Sequence, residues 1–174
     1  MPSSVRRSWL TAGKLSGNPA VVAALTRGID ACRLGNWNEG LGHLGWIAER
    51  ESTTGLPGLF YSYLGYGIAL QQHRVDEGLK LCQHAIKLEF YEVENYINLA
   101  RTCLLAQDRK GAVQAVRSGL KVDRAHEGLL ALYKELGMRG RPVLPFLSRS
   151  NLLNQILGRI RHAFRGAPAP PQAK

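Results

Sequence analysis

VENYINLARTCLLAQDRKGAVQAVRSGLKVDRAH, residues Val93–His126, is the stretch whose reading decides the fold. Apolar residues at 93, 96, 97, 100, 103 and 104 recur at gaps of three and four, the period of a helix with one buried face. Asp108-Arg109-Lys110 breaks the pattern as a short polar turn, and Ala112, Val113, Val116, Gly119 and Leu120 then resume it. The stretch therefore predicts two helices joined by a tight turn. A pair of this kind cannot bury its apolar faces alone and needs like pairs stacked beside it.

Like pairs are present upstream. A shift of 34 residues brings Gly78, Leu79, Cys82, Ala85, Ile86 and Leu88 onto Ala112, Val113, Val116, Gly119, Leu120 and Val122, and Ala69-Leu70 onto Cys103-Leu104. A shift of 38 brings Gly40, Leu41 and Leu44 onto Gly78, Leu79 and Cys82, and Ile47-Ala48 onto Ala85-Ile86. The four extra residues fit Gly55-Leu56-Pro57-Gly58, a turn-rich insertion. Small residues at matched positions (Gly78 and Ala112, Ala85 and Gly119) predict close helix approach. Glu127–Leu136 supplies one further amphipathic helix, stopped at Gly137, that covers the last pair.

These residues resemble the tetratricopeptide repeat family, in which W-x2-L-G-x2-Y, A-x3-F and a later small residue recur over 34 residues. Val93–His126 matches through Tyr96, Leu99, Ala100 and Cys103, then Ala112, Val116 and Gly119. Leu59–Glu92 matches through Ala69, Gly78, Cys82 and Ala85; Val21–Thr54 through Gly28, Ala31, Gly35, Trp37, Gly40, Leu44 and Ile47. The family's terminal prolines are absent and its first-helix aromatics are partial. The expected fold is all-α: a right-handed solenoid of three helical hairpins, a capping helix and a basic C-terminal helix. The expected segments are 1–19, basic and partly disordered; 20–137, the repeat domain; 138–165, extended and then helical; and 166–174, a disordered tail.

Charge divides the chain the same way. The 174 residues carry a net +10, with 45% apolar and 21% charged residues, enough for a packed core. Residues 20–135 hold equal numbers of acids and bases, while 1–19 carry only Arg6, Arg7 and Lys14. Residues 136–174 carry Arg139, Arg141, Arg149, Arg159, Arg161, Arg165 and Lys174 and no acid. Bases of one sign at an end suit an anionic partner, RNA or an acidic membrane surface, with those six arginines as its candidates. Pro142 and Pro145 keep the first part of this segment extended. Ser150 caps a helix of about 151–164 whose Leu152, Leu153, Ile156, Leu157 and Ile160 share a face. That helix has three readings: it docks on the body, binds a protein or ribosomal RNA, or lies on a membrane.

Other motifs are weak. Arg6-Arg7 lacks the apolar run of an export signal, because Lys14, Ser16, Gly17, Asn18 and Pro19 follow. The longest uncharged run, Ser52–His73, has an apolar centre of a core helix's length, and three unpaired cysteines suit a reducing compartment. A cytoplasmic protein is expected. Gly40-Leu41-Gly42-His43-Leu44-Gly45 spells a dinucleotide motif without its strand or its acid, and reads as tight helix packing. Cys32, Cys82 and Cys103 fall on buried positions, and the five histidines show no ligand spacing. No catalytic motif, cofactor, metal site or small-molecule substrate is expected.

The resemblance implies a protein-binding adaptor with a concave groove lined by the first helix of each pair. By resemblance the groove residues are Leu25, Ile29 and Arg33; Tyr63, Gly67, Leu70 and Gln71; and Ile97, Arg101, Leu104 and Leu105. Family members that serve chaperones clamp a C-terminal carboxylate with lysine, arginine and asparagine at such positions. Here Leu25, Ile29 and Glu94 replace the polar clamp and Asn98 alone is kept, which implies an apolar or aromatic-bearing peptide or helix instead.

Overall fold

The computed structural model of the chain describes residues 18–50 and 55–137. Contacts divide the chain into a unit Met1–Leu136 and a unit Gly137–Lys174. The basic N-terminal segment, the proline-containing stretch, the C-terminal helix and the tail lie outside the described residues.

Seven helices and no strand occur among the described residues: α1 Pro19–Arg33, α2 Trp37–Arg50, α3 Gly58–Gln72, α4 Val75–Leu88, α5 Val93–Leu105, α6 Arg109–Val122 and α7 Glu127–Glu135. Local chemistry sets several boundaries. The Asn18 side chain accepts from the Ala20 amide at 3.1 Å with Pro19 entering the helix, and Asp108 accepts from the Gly111 amide at 2.9 Å to start α6. The turns ending α1 and α5 take the left-handed conformation at Gly35 (φ 85°) and Gln107 (φ 59°), and α3 ends on the left-handed His73.

The helices pair as α1/α2, α3/α4 and α5/α6, and α7 closes the last hairpin. The first helices form one layer, α1 against α3 and α3 against α5. The second helices, α2, α4 and α6, do not pack on one another. An inner row in contact and an outer row fanned apart bend the array into a right-handed solenoid with its hollow on the α1, α3, α5 side. The expected all-α solenoid of three hairpins and a capping helix is the architecture observed. The core runs through the first two hairpins around Phe60, Leu25, Ile29, Leu44 and Ile47, all fully buried.

Close crossings are made at glycine. A Cβ on Gly40 would fall 2.9 Å from the Gly28 carbonyl oxygen, and one on Gly78 would fall 2.5 Å from that of Gly65. The tight-packing reading of the glycine motif therefore applies at Gly40. Gly42 and Gly45 have open space at their Cβ positions. The Gly65–Gly78 pair is one residue further apart in sequence than Gly28–Gly40, so α3 sits one step off the strict repeat register. Between α3 and α5 the interior is polar and largely bonded: Asn98 Nδ2 donates to Ser62 Oγ at 3.0 Å, and Thr102 Oγ1 donates to the Asn98 carbonyl at 2.8 Å, while the buried Asn95 Oδ1 has no hydrogen-bond partner.

Candidate functional site

The hollow of the solenoid holds a cavity of about 210 Å³, lined by Cys32, Arg33, Tyr63, Glu94, Ile97, Asn98, Arg101 and His126. Its side chains come from α1, α3, α5 and the residue before α7, so all three hairpins contribute. Across it runs a brace. Arg33 Nε donates to Glu94 Oε2 at 3.1 Å and Nη2 to Oε1 at 2.9 Å, a fork-to-fork pair between helices 61 residues apart. The Tyr63 hydroxyl donates to Glu94 Oε2 at 2.5 Å, and Arg33 Nη1 donates to Asp30 at 3.2 Å. Burial opposes the Arg33 charge, but its hydrogen bond and charge contact with Glu94 outweigh that and raise its pKa. Burial, then the Glu94 carboxylate, raises the pKa of the Tyr63 phenol, which stays a donor.

Beside the brace the wall is aromatic and cationic. Trp37 meets Tyr66 edge-on at 5.0 Å and Tyr63 at 6.4 Å, and the Arg101 guanidinium lies 5.9 Å from the Tyr66 ring centre. Burial raises the Tyr66 pKa, against the opposing charge of Arg101. His126 Nδ1 is buried without a hydrogen-bond partner. Burial pushes the Cys32 thiol up to about 11 and the Cys82 thiol up to about 12, which leaves both protonated and poorly nucleophilic at neutral pH. Among the described residues no three His, Cys, Asp or Glu side chains are grouped as metal ligands. No helix among them is long and apolar enough to cross a membrane.

Solved structures with this geometry identify the fold. The TPR domain of Arabidopsis OM64 superposes with a TM-score of 0.54 at 15% identity, over 67% of this chain and 93% of that one. The Sgt2 TPR domain from Aspergillus fumigatus gives 0.55 at 11% identity, over 90% and 89%. The chain has a tetratricopeptide repeat fold. No protein-family model and no curated protein matches its sequence. At such identities the likeness is one of fold.

On this tetratricopeptide repeat scaffold the expected groove residues part into three groups. Arg33, Tyr63, Ile97 and Arg101 line this same cavity together. Leu70 and Leu104 are half-buried, and Gln71 and Leu105 are exposed, all outside the cavity lining. Leu25 and Ile29 are fully buried members of the core and offer a partner no surface. Gly67 is buried too: a Cβ there would lie 2.6 Å from Leu41 Cδ2, so it packs α3 on α2. Tyr66, one residue earlier, stands beside Arg101, as the one-step offset of α3 requires. The choice of Gly65 instead of a fixed repeat shift would have found it. Glu94's tie to Arg33 had no local signal. Arg139, Arg141, Arg149, Arg159, Arg161 and Arg165 lie outside the described residues.

Proposed function

We propose that the chain is a non-catalytic adaptor that binds a peptide or helix of another protein in its inner groove. The observation that carries this reading is the shared cavity: one face, built by all three hairpins, presents Ile97 and Arg101 beside a braced wall, with the Tyr66 ring next to Arg101. Repeat solenoids use such concave faces for extended ligands. With Arg33 and Tyr63 already committed to Glu94, neither is left free to clamp a ligand's terminal carboxylate, which favours an internal apolar or aromatic segment. The work is proposed to be cytoplasmic. Co-purification of the tagged chain followed by mass spectrometry tests the reading. Tyr63→Ala with Arg101→Glu is expected to release the captured protein, and capture unchanged by both substitutions counts against the groove.

A second reading rests on the seven bases and no acids of residues 136–174. In it that segment binds RNA or an anionic membrane, with Arg139, Arg141, Arg149, Arg159, Arg161 and Arg165 as contacts. Arg159→Gln, Arg161→Gln and Arg165→Gln together are expected to abolish such binding, which also weakens steeply as salt rises. Equal RNA binding by a chain ending at Gly137 would reject it.

A further inference from the structure

The turn between α4 and α5, Glu89–Glu92, puts large apolar side chains into water. Phe90 is 68% exposed, Tyr91 55% and Leu88, just before them, 46%. The repeat does not require this. One repeat later the corresponding turn is Asp123-Arg124-Ala125-His126, with no exposed aromatic.

The turn is also held rigid. The Gly58 amide donates to Glu89 Oε2 at 2.9 Å, Asn95 Nδ2 to the Glu89 carbonyl at 3.1 Å, and the Tyr96 hydroxyl to the Phe90 carbonyl at 2.8 Å. The two rings meet at 80° with centres 5.7 Å apart, an open corner. Carboxylates flank the rings in sequence: Glu89, whose Oε2 accepts from the Gly58 amide, and Glu92, whose Oε1 accepts from the Glu94 amide and which also feels the Arg33 charge. Both charges reach the ring: after partial desolvation, Glu89 and Glu92 raise the Tyr91 pKa. Fixed, exposed aromatics are the side chains that dominate interface energies, and fixing them beforehand removes the ordering cost of binding.

We propose that this turn is a second docking point, separate from the inner groove, for a partner segment carrying an arginine or lysine beside an apolar residue. The cation sits against the ring faces with Glu89 and Glu92 as counter-charges, and the apolar neighbour covers Leu88. Charge complementarity selects this occupant: a ring face attracts a cation, and the flanking carboxylates repel an acidic segment.

The test is an NMR titration of the full-length chain with acetyl-Leu-Arg-Leu-Arg-Leu-amide, and with the same peptide bearing Glu for Arg. The arginine peptide is expected to shift the side-chain signals of Leu88, Phe90 and Tyr91 in a saturable way. Phe90→Ser with Tyr91→Ser should weaken it about tenfold, and Glu92→Gln about threefold. Tyr63→Ala with Arg101→Glu should leave it unchanged. The proposal is overturned if millimolar arginine peptide moves none of these signals, or if the glutamate peptide moves them equally. It is also overturned if the double serine variant loses thermal stability as a core variant would, since the aromatics would then serve packing.

Discussion

At Glu94 three donors from two other helices converge on one carboxylate, and the pair is only partly in water: the Arg33 side chain is 31% exposed and that of Glu94 22%. Removing the charge leaves a half-buried guanidinium without its partner across the groove. Glu94→Gln is expected to lower the unfolding free energy by about 1–2 kcal/mol, less than for a fully buried pair because water screens the site. Urea denaturation of wild type and variant measures it. The thiols give a pH dependence. Cys32 and Cys82 have folded pKa values pushed from an ordinary 9 to about 11 and about 12. Above the ordinary value the unfolded chain loses these protons first, so stability is full below about pH 9 and falls as pH rises toward 11, by on the order of 1 kcal/mol per pH unit per thiol at most. Urea melts at pH 8 and pH 10 should show the fall, and Cys32→Ala should remove part of it.

Helix crossings decide which glycines are replaceable. Gly78 lies on the Gly65 carbonyl, backbone against backbone, and a methyl group there has nowhere to go. Gly78→Ala is expected to destabilise by about 2–4 kcal/mol through forced separation of α3 and α4. Gly42 and Gly45 lie inside α2 with open space, and there glycine brings only its conformational cost. Gly42→Ala and Gly45→Ala are each expected to stabilise by about 0.5–1 kcal/mol, read as a rise in melting temperature. Equal effects at Gly42 and Gly78 would refute the crossing geometry.

A solenoid has no single centre, so each hairpin depends on its neighbour and the last one depends on its cap. Leu129 of α7 is fully buried and would touch a Cβ added to Gly119. Leu129→Ala is expected to cost about 2–5 kcal/mol. The loss should be local: hydrogen exchange should accelerate first in α6 and α7 and last in α1. Uniform acceleration along the chain would mean that the hairpins unfold as one block.

The helices, their pairing and the capping role of Glu127–Leu136 were legible in the sequence, because helical periodicity and a 34-residue recurrence are local patterns that report burial directly. Arg33, Tyr63, Ile97 and Arg101 were named through the family resemblance, and the structure brings these four to one cavity. Leu25 and Ile29 were not separable from groove positions, since an apolar residue reads alike whether it faces a partner or the core. Gly67 stood for Tyr66 because the Gly65–Gly78 crossing depends on how two helices meet, which a fixed repeat length cannot express. The Arg33–Glu94 brace and the pinned Phe90–Tyr91 corner belong to the tertiary structure alone. Charges 61 residues apart meet only when the stacked hairpins bring α1 near α5, and Glu89 reaches the Gly58 amide, 31 residues away, only when α3 packs beside that turn.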